Sequence, residues 1–154
     1  MALKQMATNQ HSLWEVLLNL QNEHPRAIHA ATDITGFGLL GHLDEMLRNP
    51  SLRAVLNGPK IPAIPGALHL FEKGYASSLA PANRRAWKLL DNGCVDLQMD
   101  GINRGSKEYL AMHELLVDPQ TCGPLLISMD KEIAQKLTSK PQSLWTEIGS
   151  IQRR

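Results

Sequence analysis

His29–Leu47 reads HAATDITGFGLLGHLDEML, and this stretch decides the fold. Ala27 to Thr32 is a short, β-prone run of small residues, and Asp33 stands where that strand should end. Gly36 and Gly38 then make a turn, after which Leu39, Leu40, Leu43, Met46 and Leu47 recur at the spacing of one helical face. His42, Asp44, Glu45 and Arg48 fall opposite, and Asn49 with Pro50 stops the helix. A strand, a glycine turn and an amphipathic helix thus meet at one acidic corner.

Upstream, Ser12 followed by Glu15 reads as a capping box before a first helix with Leu13, Val16, Leu17 and Leu20 inward, ended by Pro25. Downstream, Leu52 to Ile61 is β-compatible, and Pro59, Pro62 and Pro65 mark it as an edge or connection rather than a central strand. A short helix over Ala67 to Lys73 closes at Gly74, a polar loop follows, and Ala82 to Leu90 carries Ala82, Ala86, Leu89 and Leu90 on one face. Val95, Leu97 and Met99 alternate with polar residues, the pattern of a half-buried strand.

Ser106 caps a helix that runs through Leu116. After the DPQTCG turn, Leu125 to Met129 is short enough for a buried strand, Asp130 caps a last helix with Ile133, Ala134 and Leu137 inward, and a final strand falls near Leu144 to Ile151. Strands interleaved with helices predict an α+β fold, a mixed β-sheet flanked by α-helices. At 154 residues the chain fits one domain.

The 16 basic and 15 acidic residues leave a net charge of +1, and the arginines are scattered, which argues against a nucleic-acid surface. No apolar run reaches the ~20 residues of a membrane span. The two cysteines, Cys94 and Cys122, have no CxxC spacing, so a structural zinc is not indicated and a reducing, cytoplasmic setting is expected.

Gly36, Gly38 and Gly41 spell GxGxxG, the dinucleotide-binding turn, but a Rossmann site needs an acidic residue about 20 positions on, and Arg53 to Gly58 offers none. Asp33 also precedes the glycines, where its charge would face an incoming pyrophosphate. Two readings of Asp33 fit the residues. It can hold Mg²⁺, which takes carboxylate, phosphate and water oxygens, while the turn amides favour phosphate. Or Asp33, Thr32 and Thr35 hydrogen-bond the turn and cap the helix. A single carboxylate makes a poor Mg²⁺ site, so on the first reading the remaining ligands come from another domain or chain.

Gln120 and Thr121, in a second turn between helix and strand, are placed to face a ligand held at the first corner, although Asp-Pro and Gly are also ordinary turn residues. Asn83, Arg84 and Arg85 open a helix and either meet an anion or are solvated surface. His29, His42, His69 and His113 lack HExxH or paired metal spacing and read as structural or surface, Cys122 as an inert small residue, and Trp14, Trp87 and Trp145 as core or interface.

TDITGFGLLGHLDEM, IPAIPGALHLFEKG, SSLAPANRRAW and LLVDPQTCGPLLISM, spanning residues 32 to 129, occur in the order and spacing of the C-terminal half of selenophosphate synthetase. The chain therefore resembles that family, selenide, water dikinase, within the aminoimidazole ribonucleotide synthetase-related superfamily. The resemblance implies an α+β domain packed behind an N-terminal domain that holds the ATP site and forms a homodimer. It implies a reaction converting ATP, selenide and water to selenophosphate, AMP and phosphate with several Mg²⁺ ions.

On that basis Asp33 is the metal ligand, and Thr32, Thr35, Gly36, Gly38, Asn83, Gln120 and Thr121 lie beside phosphate or substrate. No catalytic residue falls in this stretch, because the family's reactive Cys or selenocysteine and its lysine belong to the N-terminal half, so these residues alone are expected to be silent. The family's common DPQTSGG is altered here, with Cys122 and Pro124 in place of Ser and the second Gly. The rivals are a stand-alone binding or regulatory module of the same fold and a sister enzyme acting on another ATP-dependent substrate.

Overall fold

Strand β1, Ile28–Asp33, ends on the predicted carboxylate. The computed structural model describes residues 2–7, 9–87 and 93–154. β1 pairs antiparallel with β4, Leu125–Met129, with Asp33 opposite Leu125. A second sheet has the order β3-β2-β5, formed by β2 (Leu52–Asn57), β3 (Val95–Gln98) and β5 (Gly149–Arg153). β2 runs parallel to β3 and antiparallel to β5, so the fold is α+β with mixed strand pairing.

The helices are α1 (Ala2–Met6), α2 (His11–Glu23), α3 (Gly38–Met46), α4 (Ala67–Glu72), α5 (Ala80–Asn83), α6 (Lys107–Val117) and α7 (Lys131–Thr138). One core joins Leu39, Leu40, Leu43 and Leu47 of α3 and its C-terminal end to Ala54 and Leu56 of β2 and Val95 and Leu97 of β3. Met112, Leu116 and Val117 of α6 and Leu126 of β4 complete it. Leu40 and Leu116 are fully buried, and each such leucine contributes roughly 1.5–3 kcal/mol. α6 lies against α3 and α4, so the helix that enters the second turn packs on the helix that leaves the first.

Several expectations are corrected. β2 is the central strand of its sheet. The prolines all follow it, Pro59 in a one-turn 3₁₀ helix over Gly58–Lys60, so no ladder N–H is lost. Ser12 is inside α2, whose cap is Gln10, and only Leu17 of that helix is buried. Trp14 and Val16 are exposed, and Trp145 is half-buried.

Asp130 precedes α7 but its side chain bonds His29 Nε2 at 3.0 Å instead of capping. The segment from Ala82 onward is not one helix: α5 ends at Asn83 and a 3₁₀ turn covers Arg84–Trp87. Leu89 and Leu90, and the side chains of Ala86 and Trp87, lie outside the described residues. The last strand is shifted to Gly149–Arg153. Ser106, by contrast, caps α6 as expected, its hydroxyl accepting from Tyr109 N–H at 3.1 Å.

Candidate functional site: two turns tied into one corner

The turn after β1 and the turn after α6 are one structure. Ile34 N–H donates to the Pro124 carbonyl at 2.9 Å, and Gln120 N–H to the Thr35 carbonyl at 2.9 Å. The Thr35 carbonyl also accepts from Gly38 N–H at 3.1 Å. Pro124, which cannot donate, serves through its carbonyl, so its replacement of the glycine leaves this pairing intact.

Two glycines make the approach possible. Gly38 has φ +68, and a Cβ there would lie 2.7 Å from the Val117 carbonyl carbon and 2.9 Å from Leu116 O. A Cβ at Gly123 would fall 2.1 Å from Ile34 O. Of the GxGxxG glycines, Gly38 is thus explained by protein packing on protein, whereas a Cβ at Gly36 would meet nothing within 4 Å.

Asn83 closes the arrangement. Its Nδ2 donates to Gly36 O at 2.7 Å and to Val117 O at 3.0 Å, one carbonyl from each turn. The resemblance puts Asn83 beside phosphate or substrate; its side-chain amide nitrogen binds the backbone that shapes the corner. Arg84 pairs with Glu114 of α6 at 2.9 Å, further anchoring this segment. Arg85 is exposed.

Within the frame, the Asp33 side chain is exposed and takes part in no hydrogen bond or ion pair among the described residues. It does not cap α3: the residue before that helix is Phe37, and no side chain caps it. Thr32 Oγ1 donates to the Asp33 carbonyl at 3.3 Å. Thr35 turns to α3, its Oγ1 3.1 Å from His42 Nε2. Gly36 is exposed, as is Thr121, while Gln120 is half-buried and its Nε2 donates to the Asp118 carbonyl at 3.2 Å.

Sequence reading placed His42 on the polar face of α3, but the residue is buried at 7% exposure. Its Nδ1 lies 3.3 Å from Glu45 Oε2, and the Phe37 ring sits 5.8 Å away at 52°. Its partner two turns of backbone earlier, Thr35, was the available signal: a hydroxyl seven residues before a histidine across a strand-to-helix turn. Asp118, beside the second turn, is held above the usual carboxyl range by partial burial and then by the Glu114 carboxylate.

Among the described residues no three His, Cys, Asp or Glu side chains converge to hold a metal. The oxygen donors at the corner, a carboxylate and hydroxyls, fit a hard divalent cation but make only part of its shell. Cys94 and Cys122 are both free thiols, and no described helix is long and apolar enough to cross a membrane.

Residues 4–154 match the family model described as AIR synthase related protein, C-terminal domain. The chain is similar to the selenide, water dikinase of Bdellovibrio bacteriovorus, 35% identical over 133 residues, covering 86% of this chain and 33% of that protein. It is 37% identical over 106 residues to the selenide, water dikinase of Agathobacter rectalis, covering 69% and 28%. It is 31% identical over 124 residues to selenide, water dikinase 2 of Peptoclostridium acidaminophilum, covering 80% and 31%. The matched stretch spans about a third of the length of these relatives.

Proposed function

Because the chain belongs to the AIR synthase related protein, C-terminal domain, family, we propose that it serves as the C-terminal domain of a selenophosphate synthetase, contributing one wall of a composite Mg²⁺ and phosphate site. The relatives named selenide, water dikinase support the family activity, ATP, selenide and water giving selenophosphate, AMP and phosphate. The observation that carries the reading is the Asp33 carboxylate, exposed and uncommitted at a corner whose backbone is fixed by Asn83, Gln120 and Pro124.

Asp33 would hold the cation from one side, and the other ligands would come from an ATP-binding N-terminal domain of the whole protein. A bound Mg²⁺ supplies positive charge that neutralises phosphate oxygens. In this reading Gly36, Gly38, Thr121 and Gln120 border the phosphate side, and the whole enzyme is a cytoplasmic homodimer. The 154-residue chain is then silent by itself.

Two measurements test this. ³¹P NMR of the chain with ATP, Mg²⁺ and selenide should show no selenophosphate, and turnover by the chain alone would overturn the division of labour. Titration with Mn²⁺, followed by paramagnetic broadening of backbone amides, should broaden residues 32–36 first and lose that response in Asp33→Asn. A response indifferent to Asp33→Asn would remove the metal assignment.

A further inference from the structure

Thr35, His42 and Glu45 form a hydrogen-bonded chain running from the corner to the outer side of α3, with distances of 3.1 Å and 3.3 Å. Its polarity follows from chemistry. The Glu45 carboxylate only accepts, so His42 Nδ1 carries the proton. In the neutral form of the ring, Nε2 is then a lone pair and the Thr35 hydroxyl donates to it. Phe37 against one side of the ring and the burial of His42 leave it little freedom to turn over.

The hydroxyl proton of Thr35 is then committed to His42, and the oxygen of this half-buried residue is left with only lone pairs to offer. Ile34, 3% exposed, belongs to the core, while its neighbours Asp33 and Thr35 are exposed and half-buried respectively. The corner thus presents two groups that can only accept: a carboxylate and, two residues on, a hydroxyl oxygen. Such a surface suits the waters of a hydrated cation, each of which donates, because Mg²⁺ keeps several of its waters. It does not suit a phosphate oxygen, which needs a donor.

We infer that His42, oriented by Glu45, is a positioning residue that makes Thr35 an acceptor for cation-bound water, placing Thr35 on the cation side of the corner rather than the phosphate side. The inference rests on the Asp33 reading given above and adds the orientation of its neighbour.

The test uses Mn²⁺ with the same amide-broadening measurement, on chains whose fold is checked by their amide spectra. Thr35→Val should weaken the Asp33-dependent response about five-fold, the size of one hydrogen bond, and Thr35→Ser should restore it. The ¹⁵N spectrum of His42 should show Nδ1 protonated and Nε2 bare. Inorganic phosphate binding should be unchanged in Thr35→Val.

If the response depends on Asp33 but Thr35→Val matches the wild type, or if the His42 tautomer is reversed, or if Thr35→Val abolishes phosphate binding, the inference is wrong and the Asp33 site stands. If Asp33→Asn leaves the Mn²⁺ response unchanged, the underlying metal reading fails and takes the inference with it.

Discussion

The side-chain amide of Asn83 donates to the carbonyl of Gly36 at 2.7 Å, across 47 residues of sequence. With its second bond, to Val117 O, it gives each of the two turns one fixed carbonyl. Asn83→Ala should lower stability by about 1–2 kcal/mol, the worth of two such bonds when one carbonyl can return to water. Asn83→Asp should be worse, because carboxylate oxygens would then face two carbonyl oxygens. Urea denaturation of the three proteins gives the order, and an Asp variant as stable as the wild type would contradict the assignment.

Gly38 and Gly36 should respond differently to alanine. At Gly38 the backbone is left-handed and a Cβ meets the Val117 and Leu116 carbonyls. The conformational cost of roughly 1–2 kcal/mol adds to an overpacking cost of roughly 1–3 kcal/mol. At Gly36 a Cβ meets nothing within 4 Å, so Gly36→Ala should be nearly neutral. Thermal unfolding of the pair separates a packing role for Gly38 from a general need for flexibility in the turn.

Cys122 is a non-glycine residue at φ +49. Cys122→Gly removes a left-handed strain of roughly 1–2 kcal/mol against a backbone entropy cost of roughly 0.5–1 kcal/mol. A net gain of about 0.5 kcal/mol is expected, whereas Cys122→Ser, which keeps the strain, should leave the unfolding midpoint in place.

Asp118 supplies a pH dependence. Burial and Glu114 raise its carboxyl in the folded state above the ordinary 3.8, so the folded chain holds that proton more tightly than the unfolded chain. Its contribution is fully favourable below pH 3.8 and is lost as pH rises through the higher folded value. Asp118→Asn, which copies the protonated form, should therefore unfold at a higher temperature than the wild type at pH 7, and the two should converge below pH 3.8. A constant difference across that range would show that the charge is not the cause.

The parts of this fold that depend on local pattern were readable from residues alone. The α3 leucine stripe, the Val95 and Leu97 alternation, the Ser106 cap and the end of β1 at Asp33 all reflect periods and caps that act within a few residues. What escaped depends on partners far along the chain. The centrality of β2 is set by β3 and β5, some 40 to 100 residues later. His42 looked polar until Phe37 and Thr35 closed over it.

Asn83 reads as a helix opener because nothing nearby announces two carbonyls waiting at Gly36 and Val117. At the site, the acidic residue and the glycines were visible in order along the chain. Which side chains stay uncommitted was not, because that is decided by the subtraction of every bond the fold itself consumes.

The Thr35 carbonyl takes the amides of both Gly38 and Gln120. One oxygen thus ties together two loops more than 80 positions apart in the chain, and a displacement of its peptide disturbs both bonds. In hydrogen exchange the two amides should open together, with a single protection factor. Anything that grips the Gln120 loop is therefore felt at the first peptide of α3, a mechanical linkage that a lone acidic side chain could not supply.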